Sequence, residues 1–325
     1  MTTLDIGGLL DAAKQGDRRS LARLLTAAER GGDDGRAAAA LAYRSGAEAA
    51  TVGITGAPGA GKSTLVDRLI ATARQGGTAR LAVVAVDPTS PFSGGAILGD
   101  RVRMQGHDLD AGVFIRSMAS RGHLGGLAVA VPEAIRLFAA AGTPLVLVET
   151  VGVGQVEVEV ASATDTTVVV VNPKWGDSIQ ANKAGLLETA DIFVINKADM
   201  PGADQSRRDL EQMLDLSTPG GWRPPILETV AATGEGVDTL WAEIGRHRTY
   251  LEDAGLLVGI RRERLRREFR RVLRARIEAE IDRLSALERF AELDDAVVEH
   301  RLDPYAAAEE LLAHMNDDGG RPGAD

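Results

Sequence analysis

The octapeptide Gly56-Ala57-Pro58-Gly59-Ala60-Gly61-Lys62-Ser63 constrains this chain more than any other stretch. It fits the pattern G-x-x-x-x-G-K-[ST], and its flanks supply the context that pattern needs. A β-branched run, Thr51–Thr55, precedes it, and an amphipathic helical stretch from Ser63 to about Arg74 follows. The glycines let backbone N–H groups turn inward around an anion, and the helix N-terminus adds a favourable dipole. Lys62 is expected to reach the β- and γ-phosphates of a nucleotide, and the Ser63 hydroxyl to ligate Mg²⁺. Gly56, Ala57, Pro58, Gly59, Ala60, Gly61, Lys62, Ser63 and Thr64 form the expected cradle.

The rest of the chain is consistent with that start. Apolar runs at Thr51–Thr55, Leu81–Val86, Gly112–Ile115, Leu145–Val148, Thr167–Val171, Ile192–Ile195 and Ile226–Val230 alternate with amphipathic stretches. The runs are rich in Val and Ile without polar alternation, which fits strands buried on both faces. Strands alternating with helices imply an α/β fold with a doubly wound, mainly parallel sheet. Ligands bind at the carboxyl ends of such strands.

Residues 1–50 look like a helical extension, 51–250 like the nucleotide-binding domain, and 251–325 like a C-terminal helical region. Glu263 to about Arg301 lacks Gly and Pro and is expected as one long helix or two in series. Leu265, Phe269, Val272, Leu273, Ile277, Ile281, Leu284 and Leu287 recur there at helical spacing. Asp303-Pro304 reads as an N-cap followed by Pro at the first helical position.

Asn196-Lys197-Ala198-Asp199 follows the run Ile192–Ile195 directly. An Asp carboxylate there can accept from the N1–H and exocyclic amine of guanine, an arrangement adenine does not offer. The Lys197 stem can lie along the base. Ala231-Ala232-Thr233, after Ile226–Val230, looks like the loop whose amides meet the guanine O6. Guanine nucleotides are therefore expected over adenine nucleotides. Glu149-Thr150-Val151-Gly152 stands where GTPases carry D-x-x-G. The Gly152 amide is expected at the γ-phosphate, and Glu149 at Mg²⁺ or its water. Lys62, Glu149 and Gly152 are thus the expected catalytic groups. Asp87, at the end of Leu81–Val86, and Asp100, just after the Gly-containing loop Ser93–Gly99, are further acids; with Ser63 and Glu149 they make the expected metal set, partly through water, with turn capping as the alternative for the two aspartates. The residue after Gly152 is Val153, where many GTPases place a water-positioning Gln, so slow unassisted hydrolysis is expected.

Composition removes other classes. The chain has no Cys, which excludes disulfides and thiolate metal sites. A net charge of -10 disfavours nucleic-acid binding. No run of about 18 apolar residues suggests a membrane span. The first residues, Met1–Leu10, lack the basic start of a secretory signal, so the cytoplasm is the expected location. The five histidines, His107, His123, His247, His300 and His314, are scattered without ligand spacing and are expected as surface or capping residues.

Several longer segments carry a resemblance. They are Val86-Asp87-Pro88-Thr89-Ser90, Gly94 to Arg101, Phe114 to Gly122, Glu149 to Gln155 and Trp175 to Gly185. Together they resemble the MeaB / ArgK family of P-loop GTPases over nearly the whole chain. The resemblance implies a homodimeric GTPase that serves as chaperone to an adenosylcobalamin-dependent acyl-CoA mutase, most often methylmalonyl-CoA mutase. It implies gating of cofactor loading, protection or reactivation of the mutase, and GTP hydrolysis stimulated by the mutase, without cobalamin bound directly to the GTPase. It places Asp87, Asp100 and Glu149 at the metal, and Asp177, Gln180 and Lys183 in a switch coupled to the partner. It assigns much of the dimer contact to the C-terminal helices. The competing readings are a P-loop kinase, which Asn196–Asp199 disfavours, and a metallochaperone GTPase, which the absence of Cys disfavours.

Overall fold

Strands form at the Val- and Ile-rich runs. In the computed structural model, residues 4–88, 105–107, 109–120, 126–150, 162–173, 189–216, 221–285 and 288–318 are described. The chain divides into two compact units, Met1–Glu268 and Phe269–Asp325.

The first unit opens with three helices, α1 (Ile6–Lys14), α2 (Arg18–Arg30) and α3 (Gly32–Arg44). There follow β1 (Ala50–Gly56), α4 (Lys62–Gln75), β2 (Leu81–Pro88), β3 (Val113–Ser120) and α5 (Gly126–Ala140). Then come β4 (Leu145–Thr150), β5 (Thr166–Val171), β6 (Ile192–Asn196), α6 (Ala203–Leu216), β7 (Ile226–Thr229) and α7 (Val237–Asp253). The helix α8 (Leu256–Ser285) begins in this unit. Among the described residues the seven strands make one sheet, ordered β3-β2-β4-β1-β5-β6-β7. Every pairing of these strands is parallel. All carboxyl ends therefore meet at one edge, with β1 in the middle.

The period of two along each strand divides the core. Ala82, Val84, Val86, Val146 and Val148 face α5 and the N-terminal helices, whose Leu10, Leu24, Leu25 and Ala38 share that core. Leu81, Val83, Leu145 and Leu147 face the other way, joining Val52 and Ile54 of β1 and packing with α4 and α7 through Leu65, Leu69, Leu240 and Ile244. Each fully buried Leu or Ile contributes about 1.5–3 kcal/mol by leaving water. α2 is capped as its sequence dictates, with the Asp17 carboxylate accepting from Arg19 N and Ser20 N.

The run at Gly112–Ile115 continues as strand through Ser120. Arg116 and Ser117 end the apolar pattern without ending the strand. The Arg116 guanidinium is paired with Glu29 of α2, so helix cover satisfies a charge that pattern alone would leave at a strand boundary.

His247 departs from its expected surface place. It is 2% exposed on α7, with Nδ1 2.9 Å from Thr166 Oγ1 and Nε2 3.4 Å from Asp191 Oδ1. Asp191 Oδ2 accepts from Thr167 N, and Trp222 Nε1 donates to Asp191 O. Burial lowers the His247 pKa to about 4 despite Asp165 nearby. Burial raises the Asp191 carboxyl to about 7, against the hydrogen bond from Thr167. These groups pin α7 to the amino ends of β5 and β6, away from the carboxyl edge.

A second polar knot fixes the start of α8. Arg261 and Arg264 both donate to Asp165, and Arg261 also pairs with Glu48. Burial pushes the Asp165 pKa up, but the Arg261 hydrogen bond and the Arg264 and Arg261 charges outweigh it and hold the carboxyl below its ordinary value.

In the second unit, Phe269, Leu273, Ile277 and Ile281 form an exposed apolar stripe on α8. The expected stretch to Arg301 is two helices in series, α8 and α9 (Glu288–Val298), followed by α10 (Pro304–Asp318). Asp303 caps α10, accepting from Tyr305 N and Ala306 N. Among the described residues no helix is long and apolar enough to cross a membrane.

Candidate nucleotide site

The phosphate loop spans the turn from β1 into α4. Gly56 has φ +130°, and a Cβ there would lie 2.0 Å from Val170 O of β5. Only glycine lets β1 end that close to its neighbour. Gly61 has φ +92°, and a Cβ would lie 2.3 Å from Asn196 Nδ2. The two glycines thus serve different contacts, one with the sheet and one with the loop after β6.

Lys62 is buried at the first position of α4, with Nζ donating to Gly56 O at 2.6 Å and Ala57 O at 3.0 Å. The ammonium is therefore held over the cradle by the loop's own carbonyls. Ser63 Oγ donates to Glu149 Oε1 at 2.7 Å, and both residues are buried. Glu149 lies at the end of β4, in register with Ile54 of β1 and Ala85 of β2. A hydroxyl oxygen and a carboxylate converging beside a phosphate loop are hard oxygen donors, the kind Mg²⁺ takes in small number while keeping most of its waters. The residues present fit that ion. Among the described residues no cluster of three His, Cys, Asp or Glu forms an all-protein cage.

Asn196 ends β6 and is 2% exposed. Its Nδ2 donates to Ala60 O at 2.7 Å, and its Oδ1 accepts from Thr229 Oγ1 at 3.1 Å and Ala231 N at 3.0 Å. One amide thus ties the phosphate loop, β6 and the loop after β7 together. Lys197 takes φ +63°, uncommon for a residue with a Cβ, and its Nζ donates to Gly59 O at 2.9 Å. Asp199 is exposed beyond it. Ala231 is buried, whereas Ala232 is exposed; Thr233 N returns to Val230 O.

The structure thus brings Gly56–Thr64, Glu149, Asn196–Asp199 and Ala231–Thr233 to the same sheet edge. Asp87 stands in β2 beside Ala119, at that edge too; its side chain lies outside the described residues. Asp100, Gly152, Asp177, Gln180 and Lys183 also lie outside them. Two participants carried no sequence signal. Thr229 holds Asn196, and Arg68 of α4 donates to Ala231 O and Ala232 O. Their partners are remote in the chain, and no local pattern announces them.

A parallel sheet with a phosphate loop at its central strand, and an Asn-Lys-x-Asp turn two strands away, defines a P-loop GTPase. The model of the family described as methylmalonyl-CoA mutase-associated GTPase MeaB matches residues 21–285. The chain belongs to that family. A Pyrococcus abyssi relative named for GTPase activity is 47% identical over 314 residues, covering 95% of this chain and 97% of its own. The GTPase ArgK of Escherichia coli is 39% identical over 218 residues, 65% of each chain. A fused isobutyryl-CoA mutase of Cupriavidus metallidurans is 40% identical over 208 residues, 63% of this chain and 19% of its own. A crystal structure described as a LAO/AO transport system kinase is similar over 97% of this chain and 100% of its own, with TM-score 0.69 and 28% identity.

Proposed function

We propose that this GTPase hydrolyses GTP to GDP and phosphate as a chaperone for an adenosylcobalamin-dependent acyl-CoA mutase. In this reading it gates cofactor loading and protects or reactivates the mutase. It holds no cobalamin itself.

The chain's own residues have the following parts. The amides from Gly56 to Thr64 wrap the phosphates, and the Lys62 ammonium moves from the loop carbonyls to phosphate oxygens as charge builds on the transferred group. Ser63 and Glu149 would hold Mg²⁺ directly or through water, with Asp87 and Asp100 completing the set. That ion, when bound, neutralises charge on the β- and γ-phosphates. Gly152 offers its amide to the γ-phosphate. Asp199 accepts from guanine, and the loop Ala231, Ala232 and Thr233 lies at its O6 with the Ala232 amide as donor, since the Ala231 and Thr233 amides donate to Asn196 Oδ1 and Val230 O. With Val153 after Gly152, water is poorly ordered and hydrolysis is slow until a partner binds.

The observation that carries the mutase half is the relative named a fused isobutyryl-CoA mutase, in which a segment like this chain shares one polypeptide with the named activity. The family's description points the same way. Asp177, Gln180 and Lys183 are the proposed coupling residues. The exposed stripe Phe269, Leu273, Ile277 and Ile281 suits a homodimer seam in the region 251–325. Residues 1–50 and 51–250 would form the helical extension and the GTPase domain of a cytoplasmic protein.

The test is co-purification with methylmalonyl- and isobutyryl-CoA mutases, in GDP and in a non-hydrolysable GTP analogue. Nucleotide-dependent capture of one of them is expected. Capture of neither in either state would remove the chaperone reading and leave the GTPase.

A further inference from the structure

We infer that Arg68 is a positioning residue for base recognition, acting through the loop Ala231–Thr233. This rests on the reading of that loop and Asp199 as the guanine site.

Arg68 lies on α4, about one and a half turns beyond Ser63, and is half-buried. Its Nε donates to Ala231 O at 3.1 Å and its Nη2 donates to Ala232 O at 2.7 Å. A planar guanidinium can engage two successive carbonyls with fixed geometry, which a Lys ammonium cannot. The peptide unit is planar and trans, so fixing a carbonyl also fixes the N–H of the next residue on the opposite side. The pinned Ala231 carbonyl therefore sets the direction of the Ala232 amide, while the pinned Ala232 carbonyl holds the Thr233 amide in its turn onto Val230 O.

Other contacts complete the frame. Asn196 Oδ1 holds Ala231 N at 3.0 Å. Thr72, one turn beyond Arg68, bonds Asp238 at the start of α7 with 3.3 Å between oxygens. Gly236, just before α7, takes φ +76°, and a Cβ there would lie 2.2 Å from Glu228 O, so the segment closes tightly on β7. The loop is thus held from β6 by Asn196 and from the phosphate-loop helix by Arg68. The helix that starts the cradle also aims the Ala232 amide that meets the base.

The prediction is specific to the base oxygen at C6. Arg68→Ala loosens a loop whose Ala232 amide serves that oxygen, so GDP and IDP both lose affinity by about tenfold, while ADP, which carries an amine there, changes less than about twofold. Arg68→Lys restores one hydrogen bond and recovers part of the loss. Affinities are read by displacement of a fluorescent GDP from the full chain, with Asp199→Asn as companion. The companion replaces an acceptor with a donor, which should move preference from GDP towards XDP. Equal weakening of GDP, IDP and ADP by Arg68→Ala, or no change in any, overturns the role of Arg68 while the Asp199→Asn shift keeps the guanine site. No shift with Asp199→Asn overturns the guanine site and the inference with it.

Discussion

The Ser63 hydroxyl donates to Glu149 Oε1 at 2.7 Å, joining the first turn of α4 to the carboxyl end of β4 across 86 positions. Both side chains are buried, so neither competes with bulk water for the other. In the proposed function this pair holds Mg²⁺ beside the phosphates. Ser63→Ala removes the hydroxyl ligand and leaves the cradle amides. Nucleotide binding by the variant should lose most of its Mg²⁺ dependence, whereas Ser63→Thr should keep it. Titration of GDP with and without Mg²⁺ reads the difference; equal Mg²⁺ dependence in wild type and Ser63→Ala would deny the serine that place.

Asn196→Ala breaks the clip that joins Ala60, Thr229 and Ala231. It leaves buried polar groups without their partner, at a cost of about 2–4 kcal/mol. Urea unfolding should show that loss, and GDP release should quicken. Unchanged stability would mean the three contacts are not maintained in solution.

Gly61→Ala asks a Cβ to occupy a point 2.3 Å from Asn196 Nδ2 at φ +92°. The backbone strain alone is worth about 1–3 kcal/mol. GDP affinity should fall by more than about tenfold, since relief requires either the loop or Asn196 to move. The Cβ added by Gly59→Ala meets no atom within 4 Å and brings only the strain of φ +72°, so that substitution should be the milder one. Titration of both variants with fluorescent GDP checks the order, and equal losses would contradict it.

Asp191 and His247 oppose each other in pH. The unfolded Asp191 loses its proton near 3.8 and the folded one near about 7, so its contribution to stability falls as pH rises from 4 to 7. The unfolded His247 gains a proton below 6.5 and the folded one only below about 4, so its contribution rises over pH 4 to 6.5. Asp191→Asn removes the falling part. Relative to wild type, the variant should gain about 1–3 kcal/mol between pH 4.5 and 7. Denaturant midpoints across that range give the answer; a constant difference would mean Asp191 is ionised throughout.

Much of the fold was legible because buried parallel strands read as apolar runs. Val168–Val171 and Ile192–Ile195 announce themselves, and the glycines of the cradle mark their own turn. β3 was legible only in its first half, because Arg116 is neutralised by Glu29 of a distant helix, a compensation with no sequence trace. His247 was misplaced for the same reason. A histidine on an amphipathic helix gives no sign that Thr166 and Asp191 will meet it in the interior. The placement of Lys62, Ser63, Asn196 and the Ala231 loop at the carboxyl edge was legible because each directly follows an apolar strand run or its phosphate loop. Arg68 was not, since its acceptors are backbone carbonyls that any residue supplies, 163 and 164 positions away.

The most direct test of the account is single-turnover GTP hydrolysis by the isolated chain, alone and with a saturating adenosylcobalamin-dependent acyl-CoA mutase. A rate constant below about 1 s⁻¹ is expected for the chain alone, rising by more than about tenfold with methylmalonyl- or isobutyryl-CoA mutase. Fast hydrolysis by the chain alone, unchanged by either mutase, would contradict it.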